Sequence, residues 1–110
     1  MSGQGAVCEH LDQIREVTPS SYEGCPECLA SGGRWVHLRL CLSCGKVGCC
    51  DSSPNRHASR HAAADGHPLA SSFEPGEEWT YCYLDEVAFI VEGIAHPHHL
   101  PYGEHAGGAV

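Results

Sequence analysis

Basic side chains are scarce. Only six of the 110 residues are Lys or Arg, against fourteen Asp or Glu, and the formal charge is −8. A protein that grips duplex DNA or RNA presents a basic face. Lys46 and five arginines do not build one. Neither nucleic acid nor an anionic membrane surface is therefore an expected partner. Long apolar runs are also lacking, since no stretch approaches the roughly 18 apolar residues of a membrane-spanning helix. The opening residues, MSGQGAVCEHLDQ, have neither the basic nor the apolar region of a secretory signal. These absences predict a cytoplasmic, reducing setting. There, paired cysteines point to metal or catalysis more than to disulfides. A chain of this length reads as one domain, of a size that often needs a staple.

Cysteine and histidine are abundant instead, eight and nine residues respectively. Between them lie short elements. Leu11–Val17 suggests one helical turn or a loop edge, and TPSSYEG is turn chemistry. Residues 34–40, RWVHLRL, alternate as a half-buried strand does, with Val36, Leu38 and Leu40 on one face and Trp35, His37 and Arg39 on the other. Lys46–Val47 suits a short partner strand. Ser53–Pro54 reads as the start of a helix that ends at Gly66. LASSF (69–73) reads as a strand. WTYCYLDEVAFIVE (79–92) reads as two strands around a bend at Asp85–Glu86. Residues 1–7 are expected to be flexible and residues 8–92 to form the domain. Residues 93–110, rich in His, Gly and Pro, form a tail that is mobile or drapes over the body.

Cys25-Pro-Glu-Cys28 and Cys41-Leu-Ser-Cys44 carry the strongest signal. A C-x-x-C turn lets two thiolates converge on one tetrahedral zinc. A redox dithiol would want a single C-x-x-C after a strand in a βαβ unit, which is not present. The simplest arrangement is one four-cysteine site. That leaves Cys49, His57, His61 and His67 unexplained, although His57 and His61 are i, i+4 and share a helix face. It also leaves Cys8-Glu9-His10 near the start and Cys82-Tyr-Leu-Asp85 near the end.

Taken together, CEH, CPEC, the W-V-x-L strand, CLSC, Cys49, the histidines ending in GHPL and the late W-x-Y-C-Y stretch resemble the ubiquitin-specific-protease type (UBP-type) zinc finger. The likeness runs from about Cys8 to Val91, and a stand-alone bacterial member fits it. The resemblance implies an α+β fold: an antiparallel sheet of about five short strands with one or two helices, braced by zinc. It implies three sites: Cys25, Cys28, Cys49 and His57; Cys41, Cys44, His61 and His67; and Cys8, His10, Cys82 and Asp85. Twelve candidates fill three tetrahedral sites with none left over, and the family's single-zinc members would use fewer. Asp85 is the weakest ligand, because many three-zinc relatives have Cys there. Cys50 is spare and reads as a small buried residue.

Closed, sulfur-rich sites are structural rather than catalytic. H-E-x-x-H is missing, and so is the H-x-E with later P-C-x-x-C of zinc deaminases. A non-enzymatic monomer is expected. The resemblance further implies recognition of a free C-terminal tail, that of ubiquitin ending in Gly-Gly, by aromatics and an Arg. Trp35, Tyr81 and Tyr83 match the aromatics. Cys50-Asp51, however, replaces the Gly-Arg of ubiquitin-binding members, which argues against ubiquitin itself. Arg34 or Arg56 would have to supply the charge. The expectation is a zinc-built module for a protein or peptide tail; the alternative is a zinc-handling or redox-responsive protein.

Overall fold

A computed structural model describes residues 10–99. After a 3-10 turn at Leu11–Gln13, the elements are α1 (Pro26–Ser31), β1 (Leu38–Cys41), β2 (Val47–Cys49), α2 (His57–Asp65), β3 (Leu69–Ser72), β4 (Thr80–Cys82) and β5 (Val87–Phe89). The strands form one sheet in the order β2-β1-β3-β4-β5. Every neighbouring pair is antiparallel. Two helices on a five-stranded antiparallel sheet match the α+β fold that the sequence predicts.

The elements follow from local chemistry. Pro26 opens α1, where its missing N–H costs nothing. The bend between β4 and β5 falls at Asp85–Glu86, with Glu86 in the left-handed region at φ 58°. Two expectations need correction. The strand begins at Leu38, not Arg34, because the backbone leaves the ladder just before it for a side-chain partner. The His37 carbonyl still accepts the Cys50 N–H at 3.0 Å, in register with β2, but the Val36 N–H donates to the Ser53 hydroxyl at 2.8 Å. Val36 is consequently exposed rather than in the core. The second helix begins at His57, three residues beyond Pro54. Ser53, bound to Val36, serves the preceding loop, and Arg56 makes the entry with φ 48°. The helix ends as predicted, on left-handed Gly66.

Leu38, Leu40, Leu42, Val47, Leu69 and Phe73 form one buried cluster with Cys25, Cys28, Cys49 and Cys82. The thiols are thus part of the core. The chain keeps packing beyond Glu92. Ile94 lies on this cluster, and the buried His99 donates its backbone N–H to the Phe73 carbonyl at 2.9 Å. The His99 ring sits 2.8 Å from Glu74 Oε1, while Glu74 Oε2 accepts the Leu38 N–H at 2.8 Å. Within the tail expected over 93–110, Ile94 and His99 pack on the body; residues 100–110 lie outside the described residues.

Gly48 sets how closely α2 approaches the sheet. A Cβ there would lie 2.7 Å from the Ala58 nitrogen and 2.9 Å from its Cα. Both are helix backbone and cannot rotate away. Gly48→Ala is therefore expected to push α2 outward, and His57 and His61 with it. Overpacking costs about 1–3 kcal/mol, or a fall of roughly 4–20 °C in melting temperature for a domain of this size. A thermal melt of the zinc-loaded variant checks this; an unchanged midpoint would mean the contact has slack.

Candidate metal centres and the adjoining cleft

Helix α1 begins on Cys25, and one turn carries Cys28 back beside it; the Leu29 N–H donates to the Cys25 carbonyl at 2.8 Å. Cys49 ends β2, and His57 opens α2. The four converge. His57 Nδ1 lies 3.1 Å from Cys25 Sγ, 3.5 Å from Cys28 Sγ and 3.5 Å from Cys49 Sγ. Cys28 and Cys49 sulfurs are 3.9 Å apart. All three thiols are fully buried.

The second cluster joins Cys41, Cys44, His61 and His67. Cys41 ends β1, and a tight turn brings Cys44 beside it, with the Gly45 N–H on the Cys41 carbonyl at 2.9 Å. His61 Nε2 lies 3.3 Å from Cys44 Sγ and 3.2 Å from His67 Nδ1. His67 Nδ1 lies 3.6 Å from Cys41 Sγ. Cys44 is exposed, so this cluster meets solvent.

A third group brings together His10, Cys82 and Asp85. Cys82 Sγ is 3.5 Å from His10 Nδ1 and 3.7 Å from Asp85 Oδ2; His10 Nδ1 and Asp85 Oδ2 are 3.4 Å apart. Cys8, expected as the fourth member, lies outside the described residues.

These spacings suit zinc. Tetrahedral bonds of about 2.3 Å to sulfur and 2.0–2.1 Å to nitrogen put donor atoms roughly 3.3–3.8 Å apart. The donor distances cluster in that range. Cys/His donor sets are zinc chemistry, and none of the seven described cysteines is in a disulfide. Burial pushes the Cys25 and Cys41 thiols upward and the Cys28 thiol to about 12. Such sulfurs hold negative charge only against a cation. Burial also lowers the His61 imidazole, partly offset by Asp65. This keeps the ring neutral, the form that binds metal.

The strand faces opposite the core carry a second feature. Arg39, Cys50, Asp51, Ser52, Trp79, Tyr81 and Tyr83 line a cleft of about 200 Å³. The Arg39 guanidinium lies over the Trp79 ring, 4.6 Å from its centroid. Tyr81 and Tyr83 meet edge to face, with centroids 5.1 Å apart. Burial raises both phenols and the Asp51 charge adds to it, so both remain hydrogen-bond donors. Cys50 is buried, with its sulfur 3.5 Å from the Ser53 hydroxyl. Burial alone would raise this thiol. The Ser53 contact, backbone groups of His37 and Ser52 and the Arg39 charge outweigh it and bring the thiol below its ordinary value.

Tyr81, Tyr83 and Asp51 thus reach one cleft, but Trp35, Arg34 and Arg56 do not line it. The Trp35 ring covers the Gly24 backbone, where a Cβ would approach it to 2.5 Å, and packs on the core cluster. Trp79 supplies the indole and Arg39 the cation. Period-2 alternation placed Arg39 opposite Leu38 and Leu40, and Trp79 in step with Tyr81 and Tyr83. That signal was available in the sequence.

A small sheet and two helices joined at Cys/His clusters define a zinc finger. The chain belongs to the family described as the Zn-finger in ubiquitin-hydrolases and other proteins, which matches residues 25–91. It is similar to the solution NMR structure of protein RPA1320 from Rhodopseudomonas palustris. The two are 51% identical, the match covers 87% of this chain and 93% of that one, and the TM-score is 0.76. No curated protein matches the sequence.

Proposed function

We propose that the protein is a non-enzymatic, zinc-built module that binds the C-terminal tail of a protein or peptide in the cleft at Arg39. Three zinc ions would be held, the third by Cys8, His10, Cys82 and Asp85. The observation that carries the tail reading is the Arg39 guanidinium stacked on Trp79 beside two tyrosines. A guanidinium pairs a carboxylate in a fixed fork, and an aromatic wall suits a peptide backbone. A cleft near 200 Å³ is below the roughly 300–1,000 Å³ typical of small-molecule sites. It suits the end of a chain with small residues.

Asp51 on the same cleft opposes an incoming carboxylate. A charge pair at about 4 Å is worth on the order of 1 kcal/mol in water and about 4 kcal/mol at an effective dielectric near 20. Titration with a peptide ending in Gly-Gly, free or amidated, tests the reading. The free acid is expected to bind more tightly than the amide. Arg39→Ala is expected to remove that difference, and Asp51→Arg to strengthen binding of the acid by at least tenfold. Equal binding of acid and amide by the parent would end this reading.

The exposure of Cys44 favours a second reading, a zinc-handling protein. Rapid exchange of zinc with a mild chelator at neutral pH would support it, and slow exchange would remove it.

A further inference from the structure

Asp65 occupies the last turn of α2, where no basic residue accompanies it. A carboxylate there faces the negative end of the helix dipole and is unfavourable. Its partner gives it another role. Asp65 Oδ2 lies 3.1 Å from His61 Nδ1, one turn back along the helix. The other ring nitrogen, Nε2, faces Cys44 Sγ at 3.3 Å and His67 Nδ1 at 3.2 Å. The ring is thus held between a carboxylate at one end and the donor cluster at the other. The His61 side chain is 9% exposed and that of Asp65 53%, so the carboxylate closes the solvent side of a nearly buried imidazole. A neutral imidazole has one N–H and one lone pair. Donating Nδ1–H to Asp65 leaves the lone pair on Nε2, where the sulfurs converge.

We propose that Asp65 is a positioning residue of the second cluster. It takes the His61 Nδ1 proton into a hydrogen bond, fixes the tautomer and ring orientation, and so sets how long zinc stays there. This rests on reading Cys41, Cys44, His61 and His67 as a zinc site. The role matters most at this cluster, because exposed Cys44 opens it to solvent while the thiols of the first cluster are buried.

The test uses the full, zinc-loaded chain as parent, Asp65→Ala, Asp65→Asn and Cys44→Ser. Zinc release to excess chelator is followed with a metal indicator, and long-range proton–nitrogen NMR reads the His61 tautomer. Cys44→Ser assigns the phase that belongs to the second cluster. Asp65→Ala is expected to release that zinc about 10–100-fold faster and leave the first cluster's phase unchanged. The protected Nδ1 proton signal of His61 should disappear. Asp65→Asn keeps an acceptor oxygen and should fall between the two. A purely structural role predicts the reverse, because removing a carboxylate from a helix C-terminus strengthens the helix. An unchanged second phase, or equal acceleration of both phases, would overturn the proposal. A full zinc complement in a Cys41→Ser, Cys44→Ser double variant, which leaves no thiolate there, would show instead that the second cluster is not a zinc site, and the proposal would fall with that reading.

Discussion

Complete chelation under reducing conditions is expected to unfold the domain. Six apolar side chains share the central cluster with four cysteines, all of them in the groups that would hold zinc. A structural zinc contributes an apparent 10–16 kcal/mol, roughly, whereas a whole domain is stable by only about 5–15 kcal/mol. Loss of even one ion from the first cluster exceeds most of that margin. The metal-free state would also keep Cys25, Cys28 and Cys49 packed together with no cation among them. Circular dichroism and NMR dispersion, recorded before and after chelation and again on adding zinc back, check this. Elemental analysis of the same sample should give three zincs per chain. A spectrum that stays dispersed without metal would show that the core stands alone.

Zinc affinity should fall steeply in mild acid. An ordinary cysteine thiol, with a pKa of about 8.5, already carries its proton at pH 7 in the metal-free, unfolded chain, and in any state that stays folded burial raises Cys25 and Cys28 further, the latter to about 12. Binding must release those protons, and acidification favours their return. Release of at least two protons weakens affinity by about 100-fold or more per pH unit, since each tenfold rise in proton activity acts at least twice. Affinity therefore climbs with pH through the neutral range and is weakest in acid. For the second cluster, the raised Cys41 thiol gives at least one such proton. Competition against a chelator of known affinity at pH 6 and pH 7 measures both slopes. A slope below one at the first cluster would mean that its thiols are already ionised without metal.

Much of this structure was legible in the sequence because ligands and strands announce themselves by spacing. The two C-x-x-C pairs, the i, i+4 histidines on α2, the late pair of strands and the Gly66 stop all fall where local rules put them. What was not legible depends on contacts between distant segments. Ser53 is taken by the Val36 amide, so the first strand starts late and the helix starts beyond Pro54. Trp35 is placed by the close approach of Gly24, a packing fact with no local signature. The cleft shows both cases. Tyr81 and Tyr83 were legible, whereas the pairing of Arg39 with Trp79 needs β1, β3 and β4 to lie side by side.

The donors of the first two clusters alternate along the chain. One takes residues 25, 28, 49 and 57, the other 41, 44, 61 and 67. A break in the loop between Cys50 and Arg56 would divide both: three donors of the first and two of the second precede it, and one and two follow it. Neither piece would then own a complete site, and each piece would hold what the other needs. The two ions thus act as rivets across a seam in the chain. Assembly of the halves depends on metal rather than on peptide continuity, so a nicked domain would come together or fall apart as zinc is supplied or withdrawn.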